Sequence, residues 1–282
     1  HNDYPVYMAP EGRVGIDGTN YDITFETGKF LKRLNLPIVI FKINGGYIAK
    51  PSWRKHQVKC PIKLEISKFI SVADIEKMTV EELNEIVREG IEYNDFEYLE
   101  NKNIKIKDKH KALGLENLIY YCPKCKKEHC FSTYKNTIKC TNCSFELSLN
   151  EQYQFNDNEY NIKNIHDWYE LIKKHEQENI QNSINLECNV TVRKFNIDNK
   201  KLDEKGEGIC KLDNDKFTFE GNLRVGSFTI PLEVLRTFAF SCGEEFECYY
   251  NDELYYFYPT QNPQQCAKWA LIMDEVSQKF EE

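Results

Sequence analysis

The first hundred residues alternate between apolar and polar segments in an order typical of an α/β fold. Residues 6–9 form a short apolar run that predicts a strand, and a polar, Gly-rich loop follows it. Residues 25–34 carry apolar side chains at helical spacing, which predicts a short amphipathic helix. Residues 37–43 are almost continuously apolar, as expected of a parallel strand that is buried on both faces.

A second helix is predicted where Thr79 and Glu82 match the pattern of a capping box. Apolar residues at helical spacing continue this helix to about Ile91. We therefore assign residues 1–115 to an α/β domain.

The last hundred residues follow the two-residue period of antiparallel strands. Seven short segments alternate in hydrophobicity, namely residues 186–195, 208–212, 217–219, 227–232, 237–240, 246–250 and 254–258. A final amphipathic helix begins at Asn262 and Pro263, which suit a first helical turn. Residues 185–282 are therefore predicted to form a β-barrel or sandwich closed at one end by a helix. In strand count and closing helix this domain is similar to pleckstrin-homology (PH) and GRAM domains.

The strongest chemical signal is a pair of CxxC motifs separated by fourteen residues. It consists of Cys122, Cys125, Cys140 and Cys143. Such a spacing predicts a zinc ribbon over residues 116–150, in which four thiolates surround a structural Zn²⁺ and leave no open position. His129 and Cys130 lie between the pairs, but as ligands they would break the pairwise geometry. Residues 151–184 then form a helical connector, with a helix from Ile165 to about residue 174 and a polar linker after it.

Composition and charge indicate the cellular compartment of the protein and the class of its partners. The chain has 282 residues, a net charge of −8 and eleven cysteines. An odd number of cysteines with a CxxC pattern indicates metal binding in a reducing compartment, so we expect a cytoplasmic protein. The acidic balance disfavours nucleic acid as a partner. Because the chain begins at His1 and leads directly into apolar sequence, we expect it to be the C-terminal part of a longer protein.

Eight lysines cluster in the sequence around the first CxxC motif: Lys102, Lys105, Lys107, Lys109, Lys111, Lys124, Lys126 and Lys127. They could form a cationic patch that binds an anionic membrane surface, which would make the protein peripheral at the inner membrane face. They could equally protect a solvated strand edge. The sequence leaves both interpretations open.

Two blocks resemble the 1-acyl-glycerol-3-phosphate acyltransferase family. Residues 8–18, MAPEGRVGIDG, resemble its FPEGTRSxxG block, and residues 36–46, LPIVIFKINGG, resemble its VPIVPVxI block at a similar spacing. The resemblance implies that Glu11, Gly12 and Arg13 bind the glycerol-phosphate headgroup of a lysophospholipid acceptor. The family's phosphate-binding Arg stands where this chain has Val14, one position after Arg13.

The family's catalytic HxxxxD motif is absent from this chain. In that motif the His deprotonates the acceptor hydroxyl, which then attacks the acyl thioester donor. The six histidines are followed five positions later by Val6, Pro61, Leu115, Tyr134, Leu171 and Ile180. The chain alone is therefore expected to be inactive, and no catalytic residue is assigned within it.

Two functions follow as hypotheses. The first is part of a glycerolipid acyltransferase of phospholipid biosynthesis, which transfers an acyl chain to a lysophosphatidate-like acceptor. The alternative is a non-catalytic scaffold that binds a membrane or a protein and contains a structural zinc ribbon.

Overall fold

The computed structural model describes residues 5–196, 198–235 and 237–277, without the side chain of Phe25. Residues 1–4 and 278–282, at the ends of the first and last predicted domains, lie outside this description. The chain divides into two compact units. The first comprises the residues up to Pro51, Lys55–Asp108 and Glu151–Gln154, and the second comprises Ser52–Arg54, Lys109–Asn150 and the residues from Phe155 onward. No helix within the described ranges is long and apolar enough to cross a membrane.

The first unit packs helices against one face of a two-stranded sheet. Its elements are α1 (Phe25–Leu34), β1 (Ile38–Asn44), α2 (Gly46–Ala49), β2 (Lys63–Ile70), α3 (Val72–Lys77), α4 (Val80–Ile91) and α5 (Asp95–Asn101). Helix α1 spans the predicted range, and the capping box before α4 forms as expected. Thr79 N donates to Glu82 Oε2 over 2.8 Å, and Glu82 N donates to Thr79 Oγ1 over 3.1 Å. The core contains Ile40, Ile70 and Leu83.

The prediction of a parallel β1 buried on both faces is wrong. β1 pairs with β2 in antiparallel orientation, with a register shift between Ile40 and Phe41. Side chains on one face enter the core, whereas Val39, Phe41 and Ile43 on the other face are half-exposed. An apolar run in the sequence indicates that a strand tends to be buried, but it does not specify the direction of the partner strand.

One further prediction for this region is not met, and one of the two open interpretations of the lysine cluster is excluded. Residues 6–9 form no strand, and Val6 and Tyr7 are exposed. Residues 102–111 also form no strand, so the lysines there do not protect a strand edge. Lys111 is buried and cannot contribute to a surface patch. The local sequence pattern could not predict whether these two segments form strands, because a strand forms only where another strand lies close enough to pair with it.

The second unit begins with a small three-stranded antiparallel sheet: β3 (Phe131–Tyr134), β4 (Thr137–Cys140) and β5 (Glu146–Ser148). Helix α6 (Ile165–Asn182) follows. It continues through most of the segment predicted as a polar linker. Tertiary packing explains why the helix continues, because Glu176 and Ile180 in that segment are buried against the rest of the unit.

The remainder of the unit is a curled seven-stranded antiparallel sheet, a half-barrel, with a helix at its end. Its elements are β6 (Leu186–Asn196), β7 (Lys201–Leu212), β8 (Lys216–Gly221), β9 (Phe228–Pro231), β10 (Ala239–Ser241), β11 (Glu245–Tyr250), β12 (Glu253–Pro259) and α7 (Cys266–Ser277). The spatial order is β10-β11-β12-β6-β7-β8-β9. The seven predicted strands are confirmed, although β7 begins earlier than expected. Trp269 of α7 stacks on Phe246, with ring centroids 4.9 Å apart, and thereby joins the helix to the core of the sheet.

Candidate functional site

The first unit contains a groove of about 410 Å³ along β1. Residues 8–11 and 13–15 of the loop and consecutive residues 38–43 of β1 line it. Leu31 of α1 and Val87 of α4 add to an apolar lining. Residues of both blocks on which the family resemblance rests therefore line one cavity.

The structure brings two of the three predicted headgroup residues to the groove. Glu11 and Arg13 both line it and both contact Tyr21. Glu11 Oε2 accepts a hydrogen bond of 2.8 Å from Tyr21 N, and the Arg13 guanidinium carbon lies 3.7 Å from the centre of the Tyr21 ring. Burial raises the pKa of Glu11, and the bond from Tyr21 opposes this effect. Gly12 makes the turn between them at a φ of 70°, where a glycine is favoured.

Two polar residues of the groove were not predicted from the sequence. Lys42 lines the groove from β1, and its Nζ donates to the carbonyl oxygen of Glu92 over 3.2 Å. Tyr93 also lines the groove, and burial raises the pKa of its phenol. A lysine within an apolar strand that faces a Gly-rich loop was the one available signal. Among the described residues, no histidine lines the groove.

Asp95 holds the backbone at the end of β1. Its side chain is completely buried and accepts hydrogen bonds from Gly45 N over 2.6 Å and from Tyr47 N over 2.9 Å. Burial raises the pKa of Asp95, whereas these backbone donors lower it. Because Tyr47 also lines the groove, Asp95 positions part of the groove wall.

The second unit brings the four predicted cysteines together. All four sulfur atoms lie within 4.8 Å of one another, as required of a metal site. Cys122 Sγ is 3.7 Å from Cys143 Sγ, and Cys125 Sγ is 3.7 Å from Cys140 Sγ. The thiols of each CxxC motif therefore face those of the other.

Both CxxC motifs fold as the same tight turn. In the first, Lys126 N donates to the carbonyl oxygen of Cys122 over 2.9 Å, and Lys126 has a φ of 60°. In the second, Ser144 N donates to the carbonyl oxygen of Cys140 over 3.1 Å, also at a φ of 60°. This equivalence supports one site built from two similar halves.

Hydrogen bonding favours the thiolate form of Cys125. Burial acts to raise the pKa of this thiol, but a backbone bond from Lys127 and a side-chain bond from Asn142 outweigh it. The pKa of Cys125 is thereby lowered to about 6. A thiolate at neutral pH is the form that binds metal.

Neither residue between the motifs belongs to the group of four. Cys130 Sγ lies 3.4 Å from Cys140 Sγ and donates a bond of 3.5 Å to the carbonyl oxygen of Lys127. The His129 ring stacks on Tyr120, with centroids 5.2 Å apart. His129 Nδ1 is buried without a hydrogen-bond partner, and burial lowers the pKa of this ring to about 4.

A partly buried ionic network lies next to this cluster in the sequence, and the sequence analysis did not find it. Glu128 Oε2 accepts from Lys268 Nζ over 2.6 Å, and Glu128 Oε1 lies 3.0 Å from His175 Nε2. Lys268 Nζ is also 3.4 Å from Glu176 Oε1, and Tyr120 donates to the same oxygen over 2.9 Å. Burial alone would raise the pKa of Glu128, but the Lys268 ammonium lowers it. Lys268 supplies the positive charge that balances the Glu128 and Glu176 carboxylates. The network therefore stabilises the fold.

Comparison of the chain with protein-family models, with curated proteins and with solved structures finds no match.

Proposed function

We propose that the first unit is part of a glycerolipid acyltransferase and binds a lysophosphatidate-like acceptor in the groove along β1. The observation that carries this proposal is that Glu11 and Arg13, which both contact Tyr21, line the same mainly apolar groove. An amphiphile with an anionic headgroup and one acyl chain matches this distribution of polar and apolar surface.

Arg13 is the residue that would bind the headgroup phosphate. A guanidinium presents paired N–H donors that suit two phosphate oxygens at once. The stack on Tyr21 holds the group at the groove. Lys42, which also lines the groove, would add a second positive charge, and Glu11 would orient the glycerol hydroxyls.

The apolar lining would hold the acyl chain of the acceptor. Leu31, Ile40 and Val87 contribute branched side chains from three different elements. Each methylene group removed from water is worth about 0.8 kcal/mol. Several buried methylenes would therefore contribute as much to binding as the headgroup.

Transfer itself needs a base that this chain lacks. In the family that these blocks resemble, the His of an HxxxxD motif takes the proton from the acceptor hydroxyl. The hydroxyl oxygen then attacks the thioester carbonyl of the donor, and the thiol leaves. The chain of 282 residues is accordingly expected to bind the acceptor without turning it over, at the cytoplasmic face of the membrane.

Binding of lysophosphatidate by this chain tests the proposal. Arg13→Gln should weaken binding by about tenfold to a hundredfold, because a charged hydrogen bond is worth roughly 1.5–3 kcal/mol. Arg224→Gln in the second unit is the matched control and should leave affinity unchanged. Equal affinity of the original chain, Arg13→Gln and Glu11→Gln would remove both residues from the site and end the proposal.

We also propose that the four-cysteine cluster binds a structural Zn²⁺ in a zinc ribbon. Tetrahedral bonds of about 2.3 Å place neighbouring sulfur atoms about 3.8 Å apart. The two measured separations of 3.7 Å fit this value. Four sulfur ligands leave no position for water or substrate, so the ion would stabilise the fold and take no part in catalysis.

We propose further that the half-barrel and α7 form a PH/GRAM-like module. The strand order and the helix packed on Phe246 support this assignment. An experimental structure in which the ends of the sheet, β9 and β10, remain far apart and flat would contradict it.

The alternative function is a non-catalytic scaffold. It is favoured by one observation, the lack of any histidine at the groove among the described residues. Saturable binding of lysophosphatidate that depends on Arg13 would argue against it, since a scaffold has no need of an acceptor site.

A further inference from the structure

A fifth cysteine lies at the four-cysteine cluster. Cys130 Sγ is 3.4 Å from Cys140 Sγ, whereas the facing sulfur atoms of the two CxxC motifs are 3.7 Å apart. Cys130 does not belong to the group of four, so its thiol stays free when the other four sulfur atoms bind a metal ion. The cluster therefore contains a thiol that the proposed zinc site does not use.

The β3–β4 hairpin brings Cys130 and Cys140 together. Phe131, the first residue of β3, pairs with Cys140, the last residue of β4. Cys130 directly precedes Phe131, and its carbonyl oxygen accepts hydrogen bonds from Thr141 N over 2.7 Å and from Thr141 Oγ1 over 3.0 Å. These bonds hold the backbone of Cys130 beside that of Thr141. The sulfur atoms need to approach by only about 1.4 Å to reach the length of a disulfide bond.

We propose that hydrogen peroxide joins Cys130 and Cys140 in a disulfide bond and that this bond removes one ligand from the zinc site. The inference rests on the proposed zinc site and adds a reversible redox control to it. Cys140 would change from a metal ligand to a disulfide partner. Three sulfur ligands leave the shell of the ion incomplete, so the chain would release zinc.

One molecule of hydrogen peroxide supplies the oxidant for one disulfide bond. The Cys140 thiolate attacks a peroxide oxygen, so that an S–O bond forms, the O–O bond breaks and hydroxide leaves. The Cys130 sulfur then attacks the Cys140 sulfur, so that the S–S bond forms and the S–O bond breaks. The hydroxyl group leaves as water with the proton of the Cys130 thiol. Each sulfur atom loses one electron, and the peroxide is reduced to water and hydroxide.

Access and coordination favour this pair of cysteines over the other close pairs. Cys140 is buried, but Cys130 beside it is partly exposed, so a molecule as small as hydrogen peroxide can approach the pair. The other close pairs each join two ligands of the proposed ion: Cys122 with Cys143, and Cys125 with Cys140. Because Cys130 binds no ion, its sulfur is free to attack as soon as Cys140 is oxidised.

Peptide mapping by mass spectrometry tests the proposal on the full chain after zinc loading and treatment with hydrogen peroxide. Peptides joined through Cys130 and Cys140 should be the main disulfide product, and a chromogenic chelator should detect about one released zinc ion per chain. Dithiothreitol followed by zinc should restore the site, because a disulfide is reducible whereas a sulfinic acid is not. Zinc release with another disulfide as the main product, or with none, would overturn the proposal.

Substitution of the free thiol gives a second, independent test. Cys130→Ser should keep zinc in the reduced protein and release it at least about fivefold more slowly under peroxide, because no free thiol is left to attack Cys140. Cys60→Ser is the matched control, since Cys60 is also partly exposed but lies in the first unit, and it should release zinc at the original rate. Equal rates for Cys130→Ser and the original chain would overturn the inference.

The same samples separate this inference from the zinc proposal. A reduced chain without zinc would end the zinc proposal, and a disulfide between Cys130 and Cys140 after peroxide would then still uphold the redox pair. A chain that binds zinc but does not form this disulfide would uphold the zinc proposal and end the redox pair.

Discussion

Lys268 Nζ donates a hydrogen bond of 2.6 Å to Glu128 Oε2, although 140 positions separate the two residues. Glu128 lies between the two CxxC motifs and Lys268 lies on α7. The bond therefore ties the cysteine cluster to the helix that packs on the half-barrel. The second Lys268 contact, to the completely buried Glu176 of α6, brings a third element into the same network.

Replacement of Lys268 by Met should destabilise the second unit by about 3 kcal/mol or more, because it leaves buried carboxylates without a counter-charge. Urea unfolding followed by tryptophan fluorescence is a suitable measurement, since all three tryptophans lie in this unit. The matched control is Lys211→Met, which removes an exposed pair with Glu220 and should cost less than about 1 kcal/mol. Similar losses in the two variants would show that the network carries no special stability.

One zinc ion per chain is expected in freshly purified, reduced protein. Cys140→Ser should lose the metal, because three sulfur ligands leave the shell incomplete. Cys130→Ser is the control, since its sulfur is close to Cys140 but outside the group of four. Elemental analysis measures the zinc content of the original chain and of the two variants. Absence of zinc from the original chain, or equal loss from both variants, would contradict the assignment.

Stability of the second unit should fall as pH decreases from about 6.5 to about 4, because His129 is buried in its neutral form. An unfolded histidine takes up a proton near pH 6.5, whereas the folded pKa of His129 is about 4. The unfolded state binds more protons in this window, so folding is disfavoured by up to about 3 kcal/mol at its acidic end. His129→Phe keeps the ring stack and should flatten this part of the profile in urea unfolding. Parallel profiles for the two proteins would exclude His129 as the cause.

Asp95→Asn should loosen the backbone at residues 45–48. The amide nitrogen of Asn cannot accept a hydrogen bond, so at least one of the N–H groups held by Asp95 would lose its partner. The expected cost is about 1–3 kcal/mol. Hydrogen exchange of the Gly45 and Tyr47 amides measures it. Glu97→Gln, on the exposed side of the same helix, should leave these exchange rates unchanged, and an equal effect of both substitutions would refute the role of Asp95.

Features defined by residues close together in sequence were predicted well. The capping box of Thr79 and Glu82 needs only a three-residue spacing, and each CxxC turn closes over four residues. The seven strands of the half-barrel were recognised because their two-residue alternation persists along each segment. The proximity of the two cysteine pairs could be inferred because a metal site requires it.

Features that depend on a distant partner were missed. The direction of β1 is set by β2, and the sequence of β1 does not contain that information. Residues 176–182 were predicted as a linker because the segment is mostly polar and has no strong hydrophobic period. Only the position of Lys268 shows that the charge of Glu176 is paired and the helix buried.

The sequence by itself determined helix α1, the capping box of α4, the seven strands of the half-barrel and the cysteine cluster. The tertiary structure alone decided that Glu11 and Arg13 meet an apolar groove, that one sheet face stays exposed, and that Lys268 reaches Glu128. The physical reason is the distance along the sequence between the residues that interact. Helix caps, turns and alternation are set by interactions between neighbouring residues, whereas strand pairing, grooves and buried ion pairs depend on which distant segments pack together.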